Sequence, residues 1–219
     1  MMNIIKHFRK SISITLAGLI IVSSLAGLSW NGYYQIKNNE FLRANVIQLK
    51  NDVAMANQHI RNAAIIDDPV QKELELEKRF ITRKSATTIY EILKTSDLCS
   101  RDRETVKTLL KERSEYRDAQ NIVVDSIRKD NREMIARSFV PYQALQERYN
   151  SRVDSLISSF NSKIDKARIL FGRSLVLLLV ITNVLTIIGS RIFFIELKRH
   201  KELTKRKSND IQLFEDQAL

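Results

Sequence analysis

Two uncharged apolar stretches bracket this chain of 219 residues, Ser11–Trp30 near the start and Ser174–Ser190 near the end. A helix needs about 20 apolar residues, roughly 30 Å, to cross the hydrocarbon core of a bilayer. Ser11–Trp30 meets that length without a charge, and Trp30, Tyr33 and Tyr34 follow as an interfacial aromatic belt. Ser174–Ser190 is shorter, between Arg173 and Arg191. It reaches spanning length if both arginines snorkel and Ile192–Ile195 continues the run. Asn183, near its centre, is a polar group that in lipid seeks a partner helix. A competing reading makes the first stretch a cleaved signal peptide, with Lys6, Arg9 and Lys10 as its basic region and Ser24-Leu25-Ala26 as its cleavage site. The apolar run is longer than such a region usually has, which favours a retained span.

Basic residues near the membrane ends set the direction of crossing. The outer flanks hold Lys6, Arg9, Lys10, Arg191, Lys198, Arg199, Lys201, Lys205, Arg206 and Lys207. The inner flanks hold Lys37, Arg43, Lys50, Lys163, Lys166, Arg168 and Arg173. Ten against seven places both termini in the cytoplasm and residues 31–173 on the periplasmic or extracellular side. The expected organisation is a cytoplasmic start over 1–10, a span over 11–30, an exterior domain over 31–173, a second span over 174–195 and a basic tail over 196–219. The net charge of +11 is thus first a topology signal. No nucleic acid partner is expected, because the middle interleaves acids with bases and carries no nucleic-acid motif.

The whole chain holds five Gly and two Pro, so strand and loop punctuation is scarce and long helices are the default. Leu42, Val46, Leu49, Val53, Ala56, Ile60 and Ala63 alternate steps of four and three, a heptad stripe. Val106, Leu109, Tyr116, Val123, Ile127 and Met134 keep compatible spacings. So do Tyr149, Val153, Leu156, Phe160, Ile164, Ala167 and Phe171, which run toward the second apolar stretch.

Three breaks divide the middle. Asp68 suits an N-cap, Pro69 a first helical position, and Gln71 completes a capping box. Thr95–Ser100 is a second break, with Ser100 as its cap. Asp130 and Glu133 make another capping box. The spacing predicts helices over about 33–66, 69–95, 100–129 and 131–172. Such helices cannot bury their stripes alone, and short turns pack neighbours antiparallel. The expected fold is all-α: an antiparallel up-down-up-down four-helix bundle flanked by two transmembrane helices. Pro141 falls inside the fourth helix and is expected to kink it, since it removes a donor and crowds the carbonyl of Arg137. The competing reading starts the fourth helix at Pro141.

No catalytic constellation is visible, and neither a metal nor a cofactor is expected. His7, His59 and His200 are far apart and lack ligand spacing. Cys99 is the only cysteine, which excludes an intrachain disulfide. It reads as a small turn residue, or else as one half of a disulfide across a dimer. A second stripe on the first helix, Ala44, Ile47, Asn51, Ala54, Gln58, Arg61 and Ile65, carries a single charge. It reads as a homodimer seam centred on Ile47, Ala54 and Ile65, against the alternative of an ordinary exposed face.

Ile60-Arg61-Asn62-Ala63-Ala64-Ile65-Ile66-Asp67-Asp68 resembles the end of the first sensor helix in the four-helix-bundle domain of methyl-accepting chemotaxis receptors. Arg113-Ser114-Glu115-Tyr116-Arg117 resembles the Arg-x-x-Tyr-Arg stretch of its third helix. Asp130-Asn131-Arg132-Glu133, followed by Val140-Pro141-Tyr142, resembles its third turn and the proline beyond. The resemblance covers about residues 5–195. It implies a homodimeric receptor of the bacterial inner membrane that binds a small extracytoplasmic molecule and signals by movement of its second membrane helix. Ligands of that family bind between the first and fourth helices at the dimer seam, at the level of Arg61 and Gln58 and of Arg137 and Tyr142. An arginine fork there suits a small carboxylate ligand. The competing reading gives each arginine a salt bridge.

Receptors of that kind continue into a HAMP module and a methylated signalling hairpin, whereas 29 residues, Arg191–Leu219, follow the second apolar stretch here. Output is therefore expected through a cytoplasmic or membrane signalling partner, or from a longer protein. The basic segment Glu196–Lys207 either lies along anionic headgroups of the lipid bilayer or serves topology alone. The rival function is a structural or adaptor membrane protein whose bundle binds a partner protein.

Overall fold

The computed structural model describes residues 2–217, with side chains described over 16–195 and at 197–199, 201 and 202. The side chains of Lys6, His7, Arg9, Lys10, His200, Lys205, Arg206 and Lys207 lie outside the described residues. Among the described residues there are four helices and no strand: α1 (Met2–Ile65), α2 (Pro69–Thr95), α3 (Ser100–Arg128) and α4 (Arg132–Gln217). The protein is all-α. Both α1 and α4 are long and apolar enough to cross a membrane.

The breaks fall where punctuation put them, but two caps differ from expectation. The Asp68 carboxylate accepts from the Val70 amide, 2.9 Å, and opens α2 with Pro69 in its first turn. At the next break Cys99, not Ser100, occupies the cap position of α3. At the third, Asn131 replaces Asp130 as the cap of α4, its Oδ1 accepting from the Met134 amide at 2.9 Å. Asp130 instead takes a left-handed conformation, φ 51°, and its carboxylate pairs with Lys72 at 2.9 Å. Glu133, the expected partner in that box, pairs with Arg137. Helix α4 runs through Pro141, so the reading that starts it there is excluded.

The chain divides into two compact units. Tyr34–Ala167 holds a core built from the stripes. Every member of the first stripe, Leu42 to Ala63, is buried. So are Val106, Leu109, Tyr116, Val123 and Ile127, and Tyr149 to Ala167 of the fourth helix's stripe. Met134 departs from its stripe at 45% exposure. It sits in the first turn of α4, where Ile135 and Phe139 turn to the core instead.

Partners across this unit run in opposite directions. Arg43, Lys50 and Asn57 of α1 meet Asn161, Asp154 and Tyr142 of α4. Glu73, Arg79 and Thr87 of α2 meet Arg128, Gln120 and Arg113 of α3. Four buried tyrosines tie the core laterally. The Tyr116 ring stacks between those of Tyr142 and Tyr149, 5.4 Å from each. The hydroxyls of Tyr116 and Tyr142 both donate to Asn57 Oδ1, and those of Tyr90 and Tyr149 bond each other.

The other unit takes the two remaining segments of α1 and α4. Small residues bring them close. A Cβ on Gly18 would meet Leu185 at 3.2 Å, and one on Gly32 would meet Phe171 at 3.3 Å. Ser29 and Ser174 hydroxyls bond at 2.8 Å and are buried. Asn183, which in lipid should seek another helix, donates to the Leu179 carbonyl of its own helix and is exposed.

Candidate ligand site

The seven seam positions of α1, from Ala44 to Ile65, are all exposed in the single chain. Ile65 is 82% exposed. Gln58, on the same face, donates to Asn62 at 2.8 Å. Arg61 is exposed beside it. Arg137 is exposed too, and it forms an i,i+4 ion pair with Glu133. Tyr142 lies elsewhere: it is fully buried, with its hydroxyl turned to Asn57 and Tyr116. Burial pushes its phenol above the usual range, and the Arg61 charge is among the groups opposing that shift. The four residues singled out for ligand binding therefore do not share one surface. Three are outside and one is in the core.

A different place gathers charge around an opening. A cleft of about 40 Å³ lies between α1, α2 and α3. From α1 come Asp52, Val53 and Ala56; from α2, Arg83, Ala86 and Tyr90. From α3 come Arg113, Tyr116, Arg117 and Gln120. The Arg113 guanidinium lies 4.0 Å above the Tyr90 ring centre and donates to Thr87 at 2.7 Å. Arg83 reaches Asn121 at 3.5 Å, and the neighbouring, buried Arg79 donates to Gln120 and Asn121 at 3.0 and 3.1 Å. No carboxylate comes within ion-pair distance of Arg79, Arg83 or Arg113 among the described residues. Desolvation, then the charges of Arg117 and Arg113, lower the pKa of Arg83.

Asp52 faces that cluster at 4% exposure. Its Oδ1 accepts from Gln48 at 2.7 Å, and its Oδ2 has no hydrogen-bond partner. A buried acceptor without a donor costs about 1–3 kcal/mol. The sequence carried a signal for this site. Arg79 with Arg83 and Arg113 with Arg117 are like-charged i,i+4 pairs, each unfavourable by about 0.2–0.5 kcal/mol in an isolated helix. That cost is incurred twice, on two helices whose paired residues face each other.

At the turn between α2 and α3, exposed Cys99 meets Lys163 Nζ at 3.1 Å. The Asp102 amide and Lys163 lower the thiol pKa. Asp102 itself is buried and accepts from Ser159 at 2.7 Å and from Lys163. Among the described residues no cluster of three or more His, Cys, Asp or Glu could hold a metal ion.

No protein-family model matches this chain, and neither a curated protein nor a solved structure matches it.

Proposed function

We propose that this protein is a membrane-anchored, chemoreceptor-like sensor. In this reading 31–173 forms an antiparallel up-down-up-down four-helix bundle outside the bacterial inner membrane. Segments 11–30 and 174–195 cross the bilayer, and both ends lie in the cytoplasm. The chain pairs with a second copy along the exposed face carrying Ile47, Ala54 and Ile65. A small molecule bound by the bundle biases two packings of the helices, and the second span carries the difference inward. A cytoplasmic or membrane partner receives it.

One observation carries the reading. The two helices apolar enough to cross a membrane, α1 and α4, are also the two that supply the stripes Leu42–Ala63 and Tyr149–Ala167 of the core. Each stripe lies on the same continuous helix as one of the apolar segments. Thiol accessibility in intact cells tests it, using single cysteines near each end and at the α3–α4 turn in a Cys99→Ser background. Ends shielded and turn labelled is the expected pattern; ends on opposite sides of the membrane would end this reading.

The adaptor reading has its own support. Val70, Leu74, Phe80 and Ile81 of α2 are exposed apolar side chains, a composition suited to a protein partner. Thermal shift of the full chain against small molecules separates the two. A protein that co-purifies, with no small molecule raising the midpoint, favours the adaptor.

A further inference from the structure

We propose that the cleft between α1, α2 and α3 binds a short aliphatic monocarboxylate, acetate or propionate in size. This rests on the sensor reading but moves the ligand from the seam at Arg61 to the interior of one subunit.

The charge pattern comes first. Arg79, Arg83, Arg113 and Arg117 converge from two helices, and among the described residues the acid within ion-pair distance of any of them is Asp118, 3.8 Å from Arg117 at the exposed rim. Four guanidinium groups against the one buried carboxylate of Asp52 leave an excess of positive charge, which a bound anion offsets. Planar guanidinium donors match a carboxylate in geometry as well as charge.

The walls then narrow the class. Val53, Ala56 and Ala86 offer only methyl groups, and the Tyr90 and Tyr116 hydroxyls are already engaged in the core. An aliphatic end therefore fits the floor while the carboxylate meets the arginines. A water needs about 10–15 Å³ of such space, so 40 Å³ admits about three to four water-sized groups, as many as acetate or propionate presents. Asp52 sets a further limit. Its carboxylate on the α1 wall repels any anion, so a single carboxylate is held on the arginine side, and succinate or malonate, whose second carboxylate would have to approach Asp52, is disfavoured.

Equilibrium dialysis or calorimetry on the full chain in nanodiscs provides the test, with acetate, propionate, succinate and inorganic phosphate as probes. Saturable propionate binding is expected, weakened at least tenfold by Arg83→Gln or Arg113→Gln. The exposed Arg117→Gln gives a second variant that leaves the core untouched and should weaken binding severalfold. Asp52→Asn should admit succinate. No saturable binding of acetate or propionate overturns the proposal. So does phosphate binding as tightly as propionate, which would indicate a bare anion site, or loss of binding through Arg61→Gln and not through the cleft variants. Propionate bound in the cleft without any change in α1–α4 crosslinking at the membrane segment leaves the site standing and sinks the sensor. Another ligand that alters this crosslinking while propionate fails to bind does the reverse.

Discussion

The Arg113 guanidinium rests 4.0 Å above the Tyr90 ring, while the hydroxyl of that ring bonds Tyr149. One side chain thus joins the cleft to the core. Tyr90→Phe keeps the ring and leaves the Tyr149 hydroxyl without this partner, at an expected cost of about 1–3 kcal/mol. Tyr90→Leu also removes the cation–π contact, worth about 0.5–1 kcal/mol more at a part-exposed site. Denaturation midpoints of the two variants check the order; equal losses would leave the ring contact without energetic weight.

The α3–α4 turn makes a sharper claim, because two adjacent residues compete for one role. Asn131→Ala is expected to destabilise by about 1 kcal/mol, the usual worth of a helix cap. Asp130→Asn should cost less, since asparagine also tolerates the left-handed conformation and its amide oxygen can still accept from the part-buried Lys72 in place of the exposed carboxylate. A larger loss at 130 than at 131, measured by thermal unfolding, would reverse the assignment.

Alkaline stability follows from the tyrosines. Burial raises the Tyr90 phenol to about 12, raises Tyr142, and raises Tyr116 and Tyr149 well above the usual range. The folded chain holds protons that the unfolded chain, with phenols near ~10, releases. The contribution is full below about pH 10 and fades as pH climbs through about 12. Absorbance at 295 nm should show these phenolates emerging together with loss of helical circular dichroism. Their appearance at ordinary pH with helices intact would contradict the buried network.

The acid side turns on Glu75. The Lys78 ammonium, then His59, hold its carboxyl down to about 2 from an ordinary 4.5. A depressed carboxyl stabilises above its unfolded value and loses that effect as pH falls toward the folded one. Stability should therefore drop between about pH 4.5 and 2, and Glu75→Gln should flatten that limb. An unchanged acid profile in the variant would show the pair to be energetically idle.

Ser29 and Ser174 supply a covalent probe of the apolar segments. With their oxygens 2.8 Å apart, Ser29→Cys with Ser174→Cys in a Cys99→Ser background should form an intrachain disulfide under mild oxidation. A chain that migrates as uncrosslinked monomer after oxidation would deny the pairing.

The helices were readable because their ends carry residues with one structural use: a proline after an aspartate, or a pair of cap formers. What could not be read was which of two neighbouring cap formers would turn left-handed at the third break, since Asp130 and Asn131 both tolerate it. Burial of Tyr142 was within reach, because it lies seven residues before Tyr149 on the same stripe. The resemblance drew it toward a ligand site instead. The four arginines of the cleft stand in plain i,i+4 pairs along the sequence. Their meeting depends on the register between α2 and α3, which core packing sets and spacing within one helix does not encode.

Cys99 has a practical corollary. It is the chain's sole thiol, lies on the surface, and is biased toward thiolate by its surroundings. A maleimide dye or nitroxide should attach there with one-to-one stoichiometry on unaltered protein. The α2–α3 turn thereby comes with a built-in reporter, whose emission or spin relaxation can follow its surroundings without engineering a residue.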